Sequence, residues 1–452
     1  MTYKRSLKNL QKAYAPLIFP VTIVVSFATA IFLFRNLTFF QFPNFFVEDA
    51  TVLYNNIYTT NPASAILTTF NGYLIIGQYL LAYFASGLNF LFGNELYNLP
   101  VVTAFVSCAF LGFTASLPYI LFRKELGTFL SILTVIFTAL VPMYSYDYAI
   151  IGSLSNLKFT FFYIAFLLII YRIHKINKIS SQRIVFIDLA LLLCVLTNAS
   201  VVFILPFILL TYTKNWRSKI IKRDIPVLSA VAIVSVSFLY LVLALIKGVS
   251  AMPGYLDGPF RMTALLPILE RTIFYEWTYP ITGIFNSYFV TALFFITVVG
   301  AFYIYHKSVN NRLFIALTAW AMIVSTSLLI LNRPGVSEYF LIYGHKGGTD
   351  QFFFAQNMIA IFATGWLLRK RILKLGSGGR LWIVVGVALY LCLALPYGTS
   401  FGGSAIVYTD MRPIKFNLDK ACKEYAQQDK VVIQVYPTPY WQWHIDRDLV
   451  CK

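Results

Sequence analysis

Acidic side chains are scarce in this chain. Only 18 of its 452 residues are Asp or Glu, against 36 Lys and Arg. Charged residues reach 12%, about half the usual share of a globular domain. Five cysteines and four histidines are spread without metal-ligand spacing. There is no HExxH, no CxxC and no Gly-rich phosphate loop following a strand, so the familiar soluble-enzyme motifs are excluded. No low-complexity tract occurs, and no convincing internal repeat, which argues against a transporter built from duplicated halves.

Apolar residues fill the space that charge leaves. The hydrophobic fraction is 59% and the aromatic fraction 17%, which excludes an ordinary soluble protein. The apolar runs are continuous and about 20 residues long, the length a helix needs to span hydrocarbon. A β-barrel would show short alternating segments instead. The expected fold is therefore an all-α polytopic membrane protein.

The net charge of +18 invites comparison with nucleic-acid binders, but its distribution follows membrane topology. Basic clusters occupy short loops: Lys4 to Lys12, Arg123–Lys124, Arg172 to Arg183, Lys214 to Arg223, Lys307 with Arg312, and Arg369 to Arg380. Under the positive-inside rule these loops are cytoplasmic. They hold only three acids, Glu125, Asp188 and Asp224. No nucleic-acid partner is called for. The amino terminus is then inside, with an uncleaved first helix at 15–35, since no small-residue cleavage site follows that run.

Further spans are expected at 101–122, 128–146, 155–171, 225–247, 287–305, 313–331, 351–368 and 381–396. Residues 184–213 are long for one helix, and the break at Thr197-Asn198-Ala199-Ser200 suggests two short helices or a re-entrant hairpin. Counting that unit as two gives about eleven spans and an outer carboxyl terminus. Residues 72–93 are apolar enough to cross, but crossing would place two basic clusters outside. They are expected to lie on the outer surface within a first outer loop of 36–100. Residues 1–396 form the transmembrane domain, and the polar tail 397–452 forms a small outer α/β segment. In that tail, Cys422 and Cys451 are a pair that an oxidising periplasm would link. Cys108, Cys194 and Cys392 fall in expected helices, as packing residues.

Polar residues that invite a functional role gather on the outer side. Glu48 and Asp49 stand together just after the first helix, where an unhydrated, unpaired carboxylate is costly. Asp147 lies in the next outer loop, and Asn156 and Lys158 open the following helix. Arg261, Glu270, Arg271 and Glu276 punctuate 248–286. Arg333, His345 and Lys346 precede a helix start, where backbone N–H groups favour anions.

The Glu48-Asp49-Ala50 stretch is followed by Asn71-Gly72-Tyr73-Leu74, then Ser155-Asn156-Leu157-Lys158, then Val432 to Pro437 with Tyr440-Trp441. This series resembles the GT-C class of membrane glycosyltransferases, and within it the bacterial and phage O-antigen glucosyltransferase-like branch that decorates surface polysaccharide. Ala50 stands where that branch often has Gly, and Gln78-Tyr79 where it often has a Pro-Arg pair. The resemblance implies transfer of a sugar from a polyprenyl-phosphate donor to a glycan acceptor on a lipid carrier, at the outer face of a bacterial inner membrane. It implies direct inverting transfer, with Asp49 as general base and Glu48 and Asp147 assisting. Arg261, Arg271, Arg333 and Lys346 are the candidate donor-phosphate cations. Tyr73, Asn156, Lys158, His345 and Trp441 are candidate substrate contacts. No cofactor is required, and a divalent metal is left open. The rival functions are a flippase for lipid-linked sugars, which would want ionisable residues inside its spans, and a polysaccharide polymerase.

Overall fold

The computed structural model describes residues 2–70, 72–93, 95–141, 150–176, 178–210, 212, 224–246, 259–273, 287–332, 335, 337, 352–394, 413–435 and 441–451. Five of the described helices are long and apolar enough to cross a bilayer: Ile18–Arg35, Leu99–Ala139, Ser155–Lys175, Ile225–Ile246 and Val309–Leu331. Ala199–Leu210, Thr291–Lys307 and Ser377–Cys392 are apolar but shorter. These elements define a helical membrane protein. Strands among the described residues form only two small hairpins.

The Leu99–Ala139 element is two helices, as the sequence divides it. Gly127 adopts φ 75° and ψ 155°, a backbone that glycine alone takes without strain. The first half packs against the helix Thr2–Arg35 at close range. A Cβ on Gly112 would stand 2.6 Å from the backbone nitrogen of Thr29, so only glycine allows the two backbones to approach this closely. Arg35 reaches the end of the second half, donating to the carbonyls of Ala139 (2.7 Å), its last residue, and Val141 (2.8 Å) just beyond it, where helix carbonyls otherwise lack partners.

The bundle has two chemically distinct ends. At one, Glu125 pairs with Lys175 and lies 3.7 Å from His174, while Arg369 stacks on Trp366 at 4.1 Å. At the other, Arg35, the chain near Asp49 and the start of the helix Lys158–Lys175 meet. The basic clusters and the acidic pair thus sit at opposite ends of the same helix.

Residues 181–212 rise and return. The helix Ser181–Val195 ends, Asn198 caps the turn Ala199–Phe203, and Asn198 Nδ2 donates to the Lys158 carbonyl at 2.9 Å. The chain then comes back to Arg172, whose guanidinium reaches the Tyr212 hydroxyl at 3.1 Å. Arg172 also makes a bidentate pair with Asp188 at 2.6 and 3.0 Å and donates to the Pro226 carbonyl. Ser229 gives Asp188 a further bond at 2.5 Å. Both charges are buried, and the network satisfies both, which is the condition for tolerating them there.

The helix Ile76–Leu91 has 16 residues, a length of about 24 Å, short of the roughly 30 Å hydrocarbon core. Its start is pinned to the hairpin tip, where the Gly77 N–H donates to Thr197 Oγ1 at 2.8 Å. A Cβ on Gly77 would fall 2.4 Å from the Phe161 ring.

The C-terminal unit comprises the helix Ile414–Glu424 and antiparallel strands Lys430–Val435 and Trp441–Asp446, with Ile433 opposite Trp443. Val431, Ile433 and Val435 are fully buried, the alternation expected of a strand with one covered face. A Cys422–Cys451 disulfide spans 5.7 Å between Cα atoms.

Candidate functional site

The site begins with Asp49, which opens a π-helical turn over Asp49–Tyr54. Such turns are rare and recur at functional sites. The residues before it are held from below by the C-terminal unit. The Ile414 N–H donates to the Pro43 carbonyl at 2.7 Å, and Asn44 Nδ2 donates to Gln434. Trp443 meets Phe45 edge-on at 5.6 Å.

Asp49 is buried at 1% exposure and lies at the start of the 158–175 helix. Its Oδ1 accepts from the Ser155 N–H (2.8 Å), the Leu154 N–H (3.1 Å) and Ser153 Oγ (3.3 Å). Its Oδ2 accepts from the Leu154 N–H at 3.2 Å, and the Ser155 side chain also bonds the carboxylate. Burial pushes the carboxyl up to about 7, against the opposing pull of the Ser155 and Leu154 bonds, with the Glu48 charge adding a smaller upward push. Desolvation wins. The result is a carboxylate that exchanges a proton near neutrality, the range a general base needs.

Glu48 is half-buried, and its Oε2 is buried without a hydrogen-bond partner among the described residues. Such an atom costs roughly 1–3 kcal/mol, so a ligand group or water that bonded it would recover that loss.

The 72–78 segment and the start of the 158–175 helix close round the pair. Phe70 pairs with Tyr73 in a two-residue hairpin whose turn includes Gly72 at φ 82°. The Tyr73 ring is edge-on to Phe70. Gln78 is fully buried and donates through Nε2 to the Ser155 carbonyl at 3.3 Å. Asn156 is buried beside it. Lys158 is 9% exposed, and its ammonium lies over the rings of Phe70 (5.2 Å) and Phe159 (5.5 Å). Ser155 and Lys158 are three residues apart, hence neighbours on one helical face.

A second polar group adjoins the first. Phe159 meets Phe352 edge-on at 5.6 Å. Beside Phe352, the Arg271 guanidinium lies 5.9 Å from the Phe353 ring centre, and Asn357 donates to the Arg271 carbonyl at 3.2 Å. Arg271 and Asn357 are both buried. Glu270 is turned away and accepts from Thr291 at 2.6 Å; burial raises its carboxyl above the usual range, against that bond.

Of the residues singled out in the sequence, Asp49, with Glu48 next to it in the chain, meets the 153–158 segment that carries Asn156 and Lys158, and Tyr73 reaches Lys158 through the Phe70 ring. Arg271 joins them through the Phe159–Phe352 contact. Arg261 is exposed, with its backbone N–H on Ser337. Trp441 pairs with Val435 through the backbone, and its side chain lies outside the described residues. So do Asp147, Arg333, His345 and Lys346. Ser153, Ser155, Gln78 and Asn357 are the site residues that the sequence reading did not single out for a role. A Gln in the middle of an apolar run was the visible signal for Gln78. Among the described residues no group of three or more His, Cys, Asp or Glu could hold a metal ion.

Comparison with models of known families and with curated proteins finds no match for this chain.

Proposed function

We propose that this protein is a GT-C-like membrane glycosyltransferase. It transfers a sugar, with inversion, from a polyprenyl-phosphate donor to a hydroxyl of a surface-glycan acceptor of the O-antigen kind. The reaction takes place at the outer face of a bacterial inner membrane, in a chain of about eleven spans with its amino terminus inside. One observation carries the proposal: the Glu48–Asp49 and 155–158 segments, whose sequences resemble that class, meet at one helix start, and Gln78, just past the Asn71-Gly72-Tyr73-Leu74 motif, bonds the same segment.

The chemistry suits the arrangement. Inverting transfer in one step needs a base to take the acceptor hydroxyl proton as oxygen attacks the anomeric carbon. Asp49, with a proton affinity near neutrality and Oδ2 the less engaged of its oxygens, fills that role. Glu48, adjacent and half-buried, orients the loop backbone that carries the base, and Asp147 orients the acceptor or shares the proton. A flippase would want charges along a transmembrane path. The buried ionisable pair at the opposite end of the 158–175 helix, Arg172–Asp188, is instead fully engaged. The test is sugar release from a polyprenyl-phosphate hexose in membranes carrying a glycan acceptor. Transfer by the wild type and its loss in Asp49→Asn at equal protein level support the proposal. Lipid-linked sugar crossing the bilayer without transfer would replace it with the flippase.

A further inference from the structure

Two helices begin at the candidate site, Lys158–Lys175 and Phe354–Leu373. They meet where Phe159, in the first turn of one, packs edge-on at 5.6 Å against Phe352, two residues before the other. Each start carries a buried cation. Lys158 sits in the first turn of one, and Arg271 lies over Phe353 just before the other. A cation at a helix amino terminus opposes the local dipole and favours an anion beside it. At the first start the Leu154 and Ser155 N–H groups already bond Asp49, so there the draw for a further anion is the Lys158 charge.

Each start also has a buried amide oxygen with no hydrogen-bond partner among the described residues. Gln78 turns its Nε2 to the Ser155 carbonyl. A carbonyl only accepts, so the amide orientation is fixed and Oε1 is left over. Asn357 gives its Nδ2 to the carbonyls of Arg271 and Phe353, which leaves Oδ1 over in the same way. Both side chains are fully buried. These oxygens ask for hydroxyl donors, which a sugar supplies and a lipid tail does not.

We infer that the paired helix starts form the donor-head subsite, in which Lys158 and Arg271 flank the phosphate of the polyprenyl-phosphate sugar and the amide oxygens of Gln78 and Asn357 accept from sugar hydroxyls. This rests on the transferase proposal and adds to it which cations serve and what reads the sugar. Asn357 has a second task as a positioning residue, since it holds the Arg271 backbone.

The probe is polyprenyl phosphate without sugar, with polyprenol as its uncharged control, bound to purified full-length protein in nanodiscs. Wild type should bind the phosphate at least tenfold more tightly than the alcohol. Lys158→Met and Arg271→Met should each lose most of that preference while binding polyprenol as before. Lys158→Arg and Arg271→Lys keep the charge and should restore a large part of it, which separates charge from folding. In the transfer assay, Gln78→Met should raise the donor KM and narrow the preference for a hexose over its deoxy analogue, leaving the acceptor KM unchanged. If wild type transfers sugar but both methionine variants keep the full phosphate preference, the subsite is wrong and the transferase stands. If wild type neither transfers sugar nor distinguishes phosphate from alcohol, the transferase proposal falls and takes the subsite with it.

Discussion

The Asp49 carboxylate and the Ser155 backbone N–H meet at 2.8 Å across 106 residues of sequence. That bond joins the segment after the first helix to the start of a later one. It anchors a buried acid whose proton affinity is brought near neutrality by burial, against the pull of that same bond. Most of the anchoring comes through Oδ1, and Oδ2 takes the longer bond from Leu154 at 3.2 Å.

Asp49 gives a signed pH dependence. Its carboxyl rises from 3.8 to about 7 on burial, so the folded protein binds this proton more tightly than the unfolded chain. The stabilisation linked to it is complete below about pH 4 and is lost as pH rises through 7. Melting temperature in detergent should therefore fall between pH 4.5 and 7.5 more in wild type than in Asp49→Asn. Activity should move the other way, rising through an ionisation near 7 as the base deprotonates. Equal pH slopes of stability in the two proteins would show that Asp49 is not held protonated.

The Arg172–Asp188 pair is buried on both sides, at 0% and 4% exposure. Removing one partner strands the other, a cost of about 3–5 kcal/mol. Asp188→Asn and Arg172→Met should each lower the melting temperature sharply, and the double variant Arg172→Met with Asp188→Leu should recover much of the loss. Additive losses in the double variant would mean the two charges do not depend on each other.

Gly77→Ala would place a methyl 2.4 Å from the Phe161 ring and 2.7 Å from Thr197 Oγ1. The helix Ile76–Leu91 must then shift from the hairpin tip and carry Gln78 with it. Overpacking of this kind costs typically 1–3 kcal/mol. Gly87→Ala, which meets nothing within 4 Å, is the control and should be neutral in both melting temperature and transfer. Equal behaviour of the two variants would contradict the close packing of 77 against 161.

The Cys422–Cys451 bond closes 29 residues of separation around both strands. A link over such a loop stabilises by about 3–4 kcal/mol in a chain-entropy treatment. Cys422→Ser with Cys451→Ser should make 425–446 susceptible to protease, and transfer should weaken because Trp443 no longer braces Phe45. Reductant should reproduce the effect in wild type. Unchanged cleavage after reduction would remove the disulfide from the account.

Much of this architecture was legible in the sequence. Basic clusters and apolar runs marked the helices, and Arg123–Lys124 divided one long element close to where Gly127 turns the backbone, because charge and polarity are local properties. The Thr197–Ser200 break was visible for the same reason. Glu48–Asp49 and Asn156–Lys158 stood out by scarcity of polar residues. What the sequence withheld was pairing at a distance. Nothing in Asp49 itself announces bonds to the backbone of 154 and 155, since any residue carries those N–H groups. Gln78 reads as a departure from a family pattern until Ser155 is seen beside it. Asn357 drew no attention, since its role depends on a carbonyl 86 residues away.

The most direct measurement is transfer of radiolabelled hexose from a polyprenyl-phosphate donor to membrane-bound glycan by wild type, Asp49→Asn and Asp147→Asn, with protein level checked. The account predicts transfer by wild type, a fall of about 100-fold or more in Asp49→Asn, and an intermediate loss in Asp147→Asn. Wild-type turnover in Asp49→Asn would contradict the assignment of the base, and full activity in both variants would contradict the glycosyltransferase itself.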